Sequence, residues 1–242
     1  MRRVFQGDTV MASQRSATAT RQRRWLSLIL GWGLAVCMAG LVLAGLFRGM
    51  VFSSVFHAVE HQRLGTASRF AQASPMTVVQ QLQTYFHSRS PDLLRHSLFS
   101  YRERLHYREI KQLLLQTKTA CTWGVMGAVG LTLGLLGSTR HLPREGRRLM
   151  AVVIRRAVLI LLGVVAICAL FALDFETRFV RLHGLLFDSR HWLLPPYAAS
   201  IQLFPTQYFL DFFRVYTTLI LAIAVLLWGL AYGIRRSDRL AY

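Results

Sequence analysis

Cysteine is scarce in this chain. Only Cys37, Cys121 and Cys168 occur, each inside an apolar run. An odd number so placed excludes a disulfide framework and has no metal-ligand spacing. The His-Glu-x-x-His pattern of metal-dependent hydrolases is missing too, since His106 is followed by Tyr-Arg-Glu-Ile-Lys. His57 and His61 form an i,i+4 pair, which leaves one bland metal-site alternative. No Ser or Cys stands in a recognisable nucleophile setting. Acidic residues are few, 11 against 29 Lys and Arg, for a formal charge of +18. Such a charge can mark a nucleic-acid binder. Here the Arg residues cluster beside hydrophobic runs, so anionic lipid headgroups are the expected partner and nucleic acid is not.

Apolar residues are abundant: 53% of the 242 are hydrophobic and 17% are charged. Long uncharged runs place the chain among membrane proteins before any motif is read. Four runs are long enough to span, at about 25–47, 119–138, 151–173 and 215–234, given a rise of ~1.5 Å per residue and a hydrocarbon core of ~30 Å. The first run follows Arg21-Gln22-Arg23-Arg24. It is longer than a usual signal core, and Leu34-Ala35-Val36-Cys37 has a bulky Val where a cleavage box needs a small residue, so a retained anchor is expected. Gly124, Gly127, Gly130, Gly134 and Gly137 are spaced to line one face of the second span and to admit a close neighbour. Arg155 and Arg156, near the start of the third, can snorkel to the headgroups.

The expected architecture is all-α and polytopic. Residues 1–24 form a flexible basic tail, 25–234 a single four-helix membrane domain, and 235–242 a second tail. Both tails and the loop 139–150 are rich in Arg, so the positive-inside rule puts them in the cytoplasm. Regions 48–118 and 174–214 then face outward together. In the first, Ser74-Pro75 and Ser90-Pro91 read as N-caps followed by Pro at the first helical position. Met76, Val79, Leu82 and Phe86 then recur at helical spacing, as in an amphipathic helix lying along the membrane surface. The second, Asp174 to Asp211, mixes charge with Leu, Phe, Trp and Tyr and suits the interface, with Trp192 and Tyr197 at the headgroup boundary.

Phe99 to Lys118 has a helical pattern and runs into the second span. Glu103, His106 and Glu109 are three apart, so neighbours in that series can touch. A carboxylate beside an imidazole sets its tautomer and raises its basicity. A solvated helix face is the bland reading of His106, and a non-catalytic interfacial cap that of His183. A membrane scaffold or transporter subunit is the corresponding rival function. A transporter needs polar groups near mid-bilayer, where these spans have only Thr, Ser, Gly and Cys.

Together these segments resemble the lipoprotein intramolecular transacylase family of bacterial membrane proteins. Its motif Glu-x-x-His-x-x-Asp-Val-Lys is matched by Glu103, His106, Glu109, Ile110 and Lys111, with Glu for Asp and Ile for Val. A second motif of His, Phe, Trp and Leu-Phe-Pro is matched by His183, Phe187, Trp192, Leu203, Phe204 and Pro205. The resemblance covers roughly Trp25 to Gly233. It implies an acyltransferase of the bacterial cytoplasmic membrane whose active site faces outward and whose partners are diacylglyceryl lipoprotein N-termini and membrane phospholipids. The reaction moves an acyl chain from glycerol to the α-amine of the N-terminal Cys, giving the lyso-form. His106 and His183 would be catalytic, with no cofactor and no metal. Phe187 and Trp192 would support the site or bind substrate.

The chemistry is compatible with two imidazoles. Ester aminolysis needs a base for the amine proton and an acid for the departing glycerol oxygen. An intramolecular transfer adds effective molarity and needs no acyl-enzyme. Either His can be the base. Glu103 is expected to orient His106, and Arg102 or Lys111 to bind the tetrahedral oxyanion.

Overall fold

The computed structural model describes residues 4–88, 98–139 and 143–240. Among them the chain forms α1 (Val4–Val51), α2 (Ser54–Arg63), α3 (Thr66–Arg69), α4 (Pro75–His87), α5 (Tyr101–Thr139), α6 (Pro143–Leu173), α7 (Phe175–Leu186), α8 (Ala199–Leu203) and α9 (Thr206–Leu240), with no strand. Four helices are long and apolar enough to cross a membrane, over Ser27–Val51, Tyr101–Gly137, Glu145–Leu173 and Thr206–Ser237. The protein is an all-α, multi-pass membrane protein, as expected.

The helices overrun the apolar runs that they contain. At ~1.5 Å per residue, α5 is far longer than a ~30 Å hydrocarbon core requires. Its charged first part, through Lys118, extends beyond the apolar run that begins at Thr119. α1 starts at Val4, so the polar stretch expected to be flexible is helical from there. That stretch has no Pro and several Arg, Gln and Ala, all good helix formers. The C-terminal tail is likewise helical to Leu240.

The chain divides into two compact units, Met1–Gly40 with Gly124–Ile160 and Val225–Tyr242, and Leu41–Trp123 with Leu161–Ala224. In the first, Leu34, Ala35, Leu135, Val153 and Ala157 form a buried cluster. Its helices approach closely where glycine allows: a Cβ on Gly33 would meet Leu131 Cδ1 at 3.3 Å, and one on Gly127 would meet Cys37 Sγ at 3.3 Å. Gly130, Gly134 and Gly137 would meet nothing within 4 Å. Of these four glycines, only Gly127 makes the expected close approach.

The second unit is built around Phe70, Val78, Leu82, Tyr85, Phe99, Tyr107, Ala199 and Leu203. α4 starts as expected, with Ser74 at the N-cap and Pro75 at its first position. Its fate differs from the expectation. Val78, Val79, Leu82 and Tyr85 are buried, so the apolar face of α4 forms core instead of lying open to the membrane surface. Ser90-Pro91 lies outside the described residues. α7 and the loop after it retain the interfacial character, with Val180, Leu185, Leu186, Leu193 and Tyr197 exposed.

Candidate active site

α5 begins with a reciprocal cap. Ser100 N donates to Glu103 Oε2 at 2.8 Å, and Glu103 N donates to Ser100 Oγ at 3.4 Å. This is a capping box, which satisfies two otherwise unpaired amides at the helix start. The other oxygen, Oε1, accepts from Ser200 N at 2.7 Å and Ser200 Oγ at 2.8 Å. Glu103 therefore ties the start of α5 to α8. The expectation that it orients His106 is not met, because both of its oxygens are engaged elsewhere.

Glu109 takes that place. His106 Nδ1 lies 3.5 Å from Glu109 Oε2, one helical step on, at the long limit for a hydrogen bond. Glu109 Oε1 accepts from His191 Nδ1 at 2.9 Å and from the Ser189 hydroxyl. Burial pushes Glu109 up, but the bonds from Ser189, His191 and His106 outweigh it and hold the carboxyl below its usual range.

The His106 ring meets Phe187 edge-on at 5.0 Å and His183 at 6.1 Å between centroids. His183 packs against Phe179 at 4.1 Å, Trp192 at 5.4 Å and Phe187 at 5.6 Å. Its Nδ1 donates to the Phe179 carbonyl at 2.8 Å, four residues back on α7. A carbonyl only accepts, so this bond places the proton on Nδ1 and leaves Nε2 with its lone pair. A carboxylate imposes the same tautomer on His106. Burial pulls the His106 imidazole down to about 4, against the opposing pull of Glu109. Burial lowers His183 also, against its bond to Phe179. Both rings are neutral near pH 7, each with Nδ1 held.

The fold brings together His106, His183, Phe187 and Trp192, the residues that the two sequence motifs single out. Arg102 and Lys111 are occupied otherwise. Arg102 Nη2 donates to Arg190 O at 2.6 Å, pinning the loop that carries His191. Lys111 Nζ donates to Ser88 Oγ at 3.4 Å and lies 4.2 Å from the Tyr85 ring centroid. His191, Ser189 and Ser200 were missed. His191 and Ser189 stand on a loop without periodicity, far from Glu109 in the chain. The Ser100-to-Glu103 spacing, by contrast, is a legible capping signature.

The other His pair is spoken for. His57 Nε2 donates to Val51 O at 2.9 Å, and its Nδ1 accepts from Tyr208 OH at 2.6 Å. His61 Nδ1 is 3.2 Å from Thr66 Oγ1, and its buried Nε2 has no partner. With both nitrogens of His57 engaged, the pair does not make a metal site. Among the described residues no group of three or more His, Cys, Asp or Glu is placed to hold a metal ion.

A family model described as lipoprotein intramolecular transacylase matches residues 32–209. No curated protein matches the chain. Solved structures of the membrane-integral lipoprotein intramolecular transacylase from Bacillus cereus are similar. One has a TM-score of 0.70 at 18% identity, covering 91% of this chain and 99% of its own. A variant with one His replaced by Arg reaches 0.73 at 17% identity, covering 96% and 100%. A variant with one His replaced by Ala gives 0.72 at 17% identity, covering 93% and 99%. At such identities the structures show a common fold.

Proposed function

The chain belongs to the lipoprotein intramolecular transacylase family and is an acyltransferase; from that premise we propose that His106 and His183 carry its proton transfers. The substrate is a lipoprotein N-terminus whose Cys bears a diacylglyceryl thioether. The α-amine nitrogen attacks an ester carbonyl of the same molecule. One imidazole Nε2 accepts the N–H proton as the C–N bond forms. The carbon–oxygen bond to glycerol then breaks, and the departing oxygen takes up that proton. The products are an amide on the Cys nitrogen and a free glycerol hydroxyl, which is the lyso-form.

One observation carries this reading: two imidazoles with ring centroids 6.1 Å apart, each with Nδ1 held and Nε2 unbonded among the described residues. Since neither ring brings a proton of its own at neutral pH, the proton that leaves the amine is the one that reaches the glycerol oxygen. Either one ring shuttles it or the two pass it between them. Phe187 and Trp192 exclude water around the rings, so aminolysis outcompetes hydrolysis. Glu109 orients His106 from one side and is itself held by Ser189 and His191. Arg102 and Lys111, given their partners, brace the frame of the site instead of binding the oxyanion.

The Arg-rich tails and segment 139–150 support a cytoplasmic side for themselves, and with it an outer-face position for this site in a bacterial cell membrane. The exposed Leu185, Leu186 and Leu193 then lie where lipoprotein acyl chains arrive. The test replaces His106 or His183 with Gln in cells without other N-acylating enzymes. Mass spectrometry of lipoprotein N-termini should find the diacyl form accumulating, with activity down by ~10²–10⁴-fold. Normal lyso-form from a well-inserted variant sinks that His as catalytic.

A further inference from the structure

A second polar feature lies in the first unit, among residues that the acyl transfer does not use. Arg155 on α6 and Trp228, Ala231, Tyr232, Arg235 and Arg236 on α9 line a cavity of about 280 Å³. The Arg155 guanidinium carbon lies 4.7 Å from the Trp228 ring centroid. That contact fixes one guanidinium by its face and leaves its N–H edge for a ligand. Among the described residues no carboxylate lines the cavity or pairs with any of the three Arg. Three like charges gathered with no counter-ion among the described residues call for an anion.

The neighbouring Arg156 shows the contrast. It lies 4.7 Å from the Trp32 ring centroid, donates to Leu28 O at 3.4 Å, and stands 2.9 Å from where a Gly31 Cβ would be. Arg156 is turned towards α1, whereas Arg155 lines the cavity.

We propose that Arg155, Arg235 and Arg236 seat the phosphate of an anionic phospholipid. Guanidinium groups bind phosphate oxygens in pairs. Trp228 and Tyr232 are exposed, at 45% and 63%, and aromatic residues of this kind settle at the headgroup level. Farther into the apolar part of α9, Val225 and Leu226 are exposed, where the acyl chains of a seated lipid run. A basic pocket between spanning helices is a known form of lipid recognition. That apolar track favours a lipid over free phosphate, although both offer the same oxygens.

The purified full-length protein, in detergent, is titrated with phosphatidylglycerol or phosphatidylcholine and followed by native mass spectrometry. Preferential retention of phosphatidylglycerol is expected. Arg155→Gln, Arg235→Gln and Arg236→Gln should each weaken it by about fivefold, while Arg156→Gln leaves it unchanged. The variants at 235 and 236 lie near the helix end, so folding is not at risk. Equal retention of both lipids overturns the proposal. So does an Arg156→Gln loss matching that of Arg155→Gln, which reports charge without a site. Displacement of phosphatidylglycerol by excess inorganic phosphate overturns the lipid assignment in favour of the free ion.

Discussion

At the scale of single residues, the proton transfers we propose depend on which atom of each imidazole is held. Both His rings are tied at Nδ1, and both are driven by burial to the neutral form. His106, at about 4, keeps its lone pair throughout the range where an ordinary His, at ~6.5, would lose it. The acid limb of kcat/KM is therefore set by the substrate amine near ~8, with no inflection from His106 above pH 5. A pH–rate profile checks this. The stability consequence has a definite sign. The folded-state values of His57, His61, His106 and His183 are all depressed, so the unfolded chain binds more protons between pH 6.5 and about 4. The melting temperature should fall as pH drops through that window, and His106→Gln should flatten part of the slope. In the proposed mechanism Glu109 and His191 act through His106, as positioning residues. Glu109→Gln removes the influence that raises His106, so kcat should fall by about tenfold or more with KM held. His191→Gln should fall less, by a few-fold.

At the scale of elements, one helix, α5, carries both His106 and the second apolar run. It starts at a capping box whose acid also accepts two bonds from Ser200. Glu103→Ala leaves those donors buried and unpaired, so a loss of about 2–4 kcal/mol is expected, read as a lower thermal midpoint in detergent. Glu103→Gln should recover part of it. Were Glu103 instead the orienting acid, Glu103→Gln would cut kcat as deeply as Glu109→Gln while leaving the melt unchanged. The sequence spacing allowed His106 a carboxylate on either side. Capping chemistry engages one of them, and so the other serves the ring.

At the scale of the whole molecule, the exposed apolar side chains along the four long helices require a lipid environment, and the Arg distribution supports the proposed orientation. Ser68 and Ser237 are both exposed. With Ser68→Cys and Ser237→Cys variants, a membrane-impermeant maleimide applied to intact spheroplasts should label position 68 and spare position 237. The reverse pattern would invert the topology and bring the site inside.

The number of spans, their approximate places, and the two His that the fold brings together were all legible in the linear chain. Long uncharged runs and local motifs carry that information, because a hydrocarbon core and an i,i+3 spacing act on neighbours in sequence. Resemblance then paired two signals that periodicity alone left weak. The sequence did not decide which acid holds His106, that His191 and Ser189 brace it, or that the apolar face of α4 is buried in a core. These depend on partners tens of residues away, meeting only when α5, α7 and the loop after it are packed. Tertiary structure also separated Arg156, turned towards α1, from Arg155, which lines a cavity, because adjacent residues on a helix point about 100° apart.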